Sequence, residues 1–78
     1  MKKIENSECL LGFGKFIREG RMKRDMYQHE VAALLGITQA YYSMIEQGNK
    51  DRNVDLVLAL RICQVLRLDI NDFIKQYM

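Results

Sequence analysis

Apolar residues recur at three- and four-residue intervals in several short segments, with no sustained apolar/polar alternation, so the chain reads as helices separated by brief punctuation. Leu10, Phe13 and Ile17 share one face of a first helix that Ser7 can cap and that ends near Arg24. Within it, Gly12, Gly14 and Gly20 each cost about 1 kcal/mol relative to alanine. Asp25 follows, a residue type that tolerates a left-handed conformation better than most. From Gln28 onward, Val31, Ala32 and Leu35 form one apolar stripe over two turns, and Gly36 supplies the positive φ that stops this second helix. Thr38 can cap a third helix, with Tyr42 and Ile45 facing inward and Gly48 at its end. Asp55 suits the N-cap of Leu56 to Leu66, a helix apolar nearly all round and therefore expected to be buried on most sides. Asp69 can cap a last helix from Ile70 to about Tyr77 that presents Ile70, Phe73, Ile74 and Tyr77. The pattern predicts an all-α fold in a single domain over residues 1–78, because 78 residues fall below the length at which chains divide.

Composition narrows the chemistry. Hydrophobic residues make up 49% of the chain and 12 basic residues nearly balance 10 acidic ones, a globular composition that disfavours disorder. Cys9 and Cys63 are too few for a disulfide framework, and His29 is the single histidine, so no cluster has metal-ligand spacing and the cytoplasm is favoured. The opening residues carry no apolar run of signal-peptide length, and the longest near-apolar stretch is broken by Asp55, so no membrane span is expected. Lys15, Arg18, Arg21, Lys23 and Arg24 fall within ten residues, opposed there by Glu19 alone, a cluster able to meet an anion. One histidine without paired carboxylates or a phosphate-cradling glycine loop offers no acid/base or nucleophilic machinery, so no enzyme and no cofactor are expected.

The middle of the chain carries the function. Two short helices joined by a glycine-led turn can cross at the roughly 90–120° of a helix-turn-helix when the crossing holds a small residue and the turn an apolar plug. Ala32, Gly36 and Ile37 meet those demands. In register with them, Gln28-His29-Glu30-Val31-Ala32, Leu35-Gly36-Ile37-Thr38 and Tyr42-Ser43-Met44-Ile45-Glu46-Gln47-Gly48 resemble the helix-turn-helix of phage-repressor (Xre/Cro-type) regulators, over about residues 13–76. Phe13-Gly14, Arg52-Asn53-Val54 and the C-terminal helices most resemble restriction-modification controller proteins, a dimeric branch of that family. The resemblance implies a compact five-helix bundle of lambda-repressor-like type, with residues 28–47 as the helix-turn-helix and residues 1–12 as an N-terminal extension. It also implies that Arg21, seven positions before Gln28, pairs with Glu46. Tyr27 stands where the family usually has a capping serine or threonine, a lost cap worth about 1 kcal/mol.

From these residues we expect a sequence-specific transcriptional regulator that binds a double-stranded DNA operator of roughly palindromic form as a homodimer, its third helix in the major groove. Gln39 can bond an adenine edge bidentately, Ala40 and Met44 can touch a thymine methyl, and Ser43 can bond a base or a phosphate. Gln28, Thr38 and Tyr41 are the expected phosphate contacts on the helices, with Asn49, Lys50 and Arg52 in the loop after the third helix. Ile70, Phe73, Ile74 and Tyr77 exceed what a short terminal helix can cover and are expected to form the dimer interface. No small-molecule ligand or metal is expected. The alternative is a protein-interaction module, such as an antitoxin, in which DNA binding is secondary or lost.

Overall fold

A computed structural model describes residues 6–48 and 54–78, which hold five helices: α1 (Asn6–Lys23), α2 (Gln28–Leu35), α3 (Gln39–Glu46), α4 (Leu56–Val65) and α5 (Ile70–Tyr77). Among the described residues there is no strand, and no helix is long and apolar enough to cross a membrane. Capping explains most helix starts. Thr38 Oγ1 accepts from Tyr41 N at 3.1 Å, Asp55 Oδ1 from Leu58 N at 2.8 Å, and Asp69 Oδ1 from Asn71 N at 2.9 Å, each satisfying an amide that its helix leaves unbonded. Two starts differ from the sequence expectation. Helix α1 is already helical at Asn6, the first described residue, so Ser7 lies inside it rather than capping it. At α2 the side chain of Tyr27 makes no cap, but the carboxylate of Glu30 accepts from Tyr27 N at 2.8 Å, so half of a capping box replaces the missing hydroxyl.

Helix ends share one device. After α1, α2 and α4 a left-handed residue lets the next amide bond back into the last turn: Met26 N to Arg21 O at 3.2 Å, Ile37 N to Ala32 O at 3.1 Å, and Leu68 N to Cys63 O at 2.7 Å. The left-handed residues at these three ends are Asp25 (φ 53°), Gly36 (73°) and Arg67 (54°), and Gly48 after α3 also has a positive φ, 68°. Arginine is unusual there, and the sequence carries no sign of it. Arg24 supports the turn by donating from Nε to Leu66 O at 2.7 Å and from a terminal nitrogen to Arg67 O at 3.3 Å, while Arg61 donates to Leu35 O at 3.2 Å at the end of α2.

Helix α1 packs on α3 and α5, and α2 packs on α3 and α4. Phe13 and Ile17 of α1, Val31, Ala32 and Leu35 of α2, and Tyr42 and Ile45 of α3 are buried, as their spacing predicts. Gly14 permits the closest approach, since a Cβ there would clash with the backbone carbonyl of Glu46 and sit 2.8 Å from that of Ile45.

Two expectations about the C-terminal helices fail. Helix α4 is not buried on most sides: Leu58, Ile62, Cys63 and the capping Leu66 form its inner stripe, while Leu56 is 72% exposed, Val57 67% and Leu60 45%. Its ten residues meet only α2 closely, so one stripe exhausts the core available to it. Phe73, expected at a dimer interface, is instead buried within its own chain, with its ring centroid 5.4 Å from that of Phe13 in an edge-to-face pair.

Candidate nucleic-acid interface

Because Tyr42 and Ile45 anchor α3 to the core, the helical period turns Gln39, Ala40 and Ser43 away from it. Gln39, Ala40 and Gln47 are exposed, and Ser43 and Met44 half-buried. Gln39, Ser43 and Gln47 recur every fourth residue along one outer stripe, where Gln47 Nε2 donates to Ser43 Oγ at 3.3 Å. The structure therefore brings Gln39, Ala40, Ser43 and Met44 together on the outer side of one short helix, two of them polar and two apolar. Thr38 is exposed beside them, its Oγ1 engaged as the α3 cap. Tyr41 is half-buried and borders an open groove with Leu56, Val57 and Arg61 of α4. Asn49, Lys50 and Arg52 lie outside the described residues.

The expected ion pair is formed. Arg21 donates from Nε to Glu46 Oε2 at 2.7 Å and from a terminal nitrogen to Oε1 at 3.0 Å, a two-pronged contact, and its other terminal nitrogen donates to Met26 O at 2.9 Å. Only 3% of the Glu46 side chain and 13% of the Arg21 side chain are accessible. Burial alone would raise the Glu46 pKa, but the hydrogen bonds from Arg21 and Gln28, the nearby dipole of the Tyr42 hydroxyl and the Arg21 charge together hold it below the ordinary carboxylate range. The same bonded carboxylate pushes Arg21 up. Tyr42, buried against that carboxylate, is pushed up chiefly by desolvation, and its hydroxyl meets hydrogen-bond geometry with none of the described residues.

Gln28 joins this network, which the sequence did not foretell. Its Nε2 donates to Glu46 Oε1 at 3.1 Å, so the first residue of α2 is tied to the last of α3. The basic cluster also changes character: Arg21 pairs with Glu46 and the exposed Arg24 caps the end of α4, which leaves Lys15, Arg18 and Lys23 as its exposed members without a side-chain bond among the described residues. Arg18 lines a polar cleft of about 260 Å³ with Arg21, Gln28, Glu46 and Gln47. From the sequence, Arg18 stands out only as one of the basic cluster and Gln47 only as part of the helix-turn-helix motif, neither as an individual DNA contact. The available signal was their spacing, one turn before Arg21 and one turn after Ser43.

Other candidate chemistry is scattered. Among the described residues no three of His, Cys, Asp and Glu gather as a metal site. His29 is exposed and stacks on Tyr27 with ring centroids 5.5 Å apart, while burial and the nearby Asp69 push the Cys63 thiol up. In comparisons with known proteins, a family model described as helix-turn-helix matches residues 17–73. Among curated proteins none matches the chain.

Proposed function

The chain belongs to the Xre/lambda-repressor-like helix-turn-helix family of DNA-binding regulators, and from that premise we propose that it binds a roughly palindromic operator in double-stranded DNA as a homodimer, in the cytoplasm. The observation that carries the reading is the outer face of α3, where Gln39, Ala40, Ser43 and Met44 stand together on a helix fixed to the core by Tyr42 and Ile45. Entering the major groove, such a face lets Gln39 pair with an adenine edge and Ala40 or Met44 meet a thymine methyl. Gln28, Thr38 and Tyr41, with Asn49, Lys50 and Arg52, would contact the flanking backbone. In a binding titration, Gln39→Ala costs about 1–3 kcal/mol on the best site and relaxes preference at one position per half-site. A uniform loss across all sequences would defeat this assignment.

The dimer reading rests on a different surface from the one expected of α5 alone. With Phe73 withdrawn into the core and Ile70 and Tyr77 half-buried, Ile74 and Met78 are the exposed apolar residues at the end of the chain, 43% and 69% accessible. Leu56 borders the same apolar groove of about 370 Å³ as both of them. A contiguous apolar surface of this kind marks an association site more often than a bare monomer face. A two-fold contact there would place two α3 helices about 34 Å apart, one turn of duplex, and join two weak half-site contacts into one specific complex. Sedimentation of the wild type at micromolar concentration shows a dimer, and Leu56→Ser with Ile74→Ser shifts it to monomer. A monomer in both cases would sink the dimer reading.

A further inference from the structure

We propose that the cleft between α1, the start of α2 and the end of α3 seats a phosphodiester group of the DNA backbone, with Arg18 as its cation. The inference rests on the DNA-binding reading above and adds a residue and a site to it. Charge balance carries the first step. Two guanidinium groups, Arg18 and Arg21, and one carboxylate, Glu46, line the cleft, so it holds one net positive charge. The Arg21 charge is balanced by the Glu46 carboxylate it pairs with, and each of its three nitrogens already donates once, two to Glu46 and one to Met26 O. The carboxylate is spent as well, because Oε1 accepts from both Arg21 and Gln28 while Oε2 accepts from Arg21. Arg18 is exposed and forms no hydrogen bond or ion pair among the described residues.

The two amides supply the rest of an anion site. A carboxylate only accepts, so the Gln28 group facing Glu46 is the nitrogen, and an amide nitrogen carries two hydrogens. One is used on Glu46, and the other is left for an anion. Gln47 also lines the cleft, and its amide nitrogen, which gives one hydrogen to Ser43 Oγ, keeps a second. One arginine fork and two amides lining the same cleft are the donor set that suits the oxygens of a phosphodiester.

Position identifies the source of that anion. The Gln39, Ser43 and Gln47 stripe ends at the cleft. Helix α3 has eight residues, hence a length of about 12 Å at 1.5 Å per residue, close to the roughly 12 Å width of the major groove. With Gln39 at the base edges, the Gln47 end reaches the groove rim, where the backbone phosphates run. Free phosphate shares the chemistry but has no reason to sit at the end of that stripe.

The test is equilibrium binding of the full chain to a selected operator duplex and to a random duplex over a range of salt concentrations. Arg18→Ala weakens both duplexes by a similar factor, on the order of 3–10-fold, and lowers the slope of log K against log salt by about one. Arg18→Lys keeps the slope, and Lys23→Ala, which removes an exposed charge of the same helix outside the cleft, leaves it unchanged. Thermal melting shows the Arg18 variants folded as the wild type. If the wild type binds but Arg18→Ala alters neither affinity nor slope, or loses only the operator, the phosphate seat is wrong and the DNA reading stands. A wild type that binds neither duplex overturns both. Titration with inorganic phosphate alone separates the two sources: saturable phosphate binding with an unchanged DNA salt slope in Arg18→Ala overturns the proposal.

Discussion

Replacing Arg21 with alanine lowers folding stability by about 3–5 kcal/mol, because it strands a carboxylate that the fold has removed from water. The side chain of Glu46 is 3% accessible, and its remaining donor among the described residues is the neutral amide of Gln28 at 3.1 Å. A chain of 78 residues has little reserve, since one core of this size rarely supplies more than about 3–5 kcal/mol. Circular dichroism at room temperature therefore finds much of the Arg21→Ala protein unfolded. An unchanged melting temperature combined with lost DNA binding would make Arg21 a surface contact instead. The same pair sets an acid limit. The Glu46 pKa is lowered in the folded chain, so its stabilisation is present above the unfolded carboxylate value of about 4.3 and is lost as pH falls through the lower folded value. Urea melts of the wild type show that loss in acid. Glu46→Gln has already forfeited the contribution and lacks this component of the pH dependence.

The second large effect is expected at Gly14. Alanine there would gain up to about 1 kcal/mol of helix propensity in α1. Its methyl would strike the Glu46 carbonyl, a backbone group in the last turn of α3 that cannot rotate aside. Overpacking of this kind costs about 3 kcal/mol and displaces α3 from α1, so the folded fraction of Gly14→Ala also loses DNA affinity. Gly36→Ala separates this from the generic effect of losing a glycine. A Cβ at Gly36 meets nothing within 4 Å, and the φ of 73° leaves only backbone strain of about 1 kcal/mol. Chemical denaturation of the two variants ranks Gly14→Ala as the more damaging. The reverse order would mean that α1 and α3 can separate without loss.

Local information in the sequence determined the number of helices, their types and nearly all their ends. Caps such as Thr38 and Asp55 act on amides two or three residues away, and the stripes of Val31, Ala32 and Leu35 or of Tyr42 and Ile45 follow from a period of 3.6. The outer face of α3 was legible for the same reason: once the inner residues are known, the rest of an eight-residue helix must face outward. The Arg21–Glu46 pair spans 25 positions and was reached through the family pattern rather than through spacing. Only the tertiary structure decided how the surplus apolar and charged groups are shared out. Leu56 and Phe73 both sit in apolar stripes, yet one is left outside and the other is buried against Phe13, because burial depends on which helices are neighbours. Arg18, Arg21 and Arg24 are alike by composition and adjacent in sequence. They separate into an unpaired cation, an ion-pair partner and a helix cap because Glu46 and Leu66, 25 and 42 residues away from their partners, arrive by folding at two of them and not at the third.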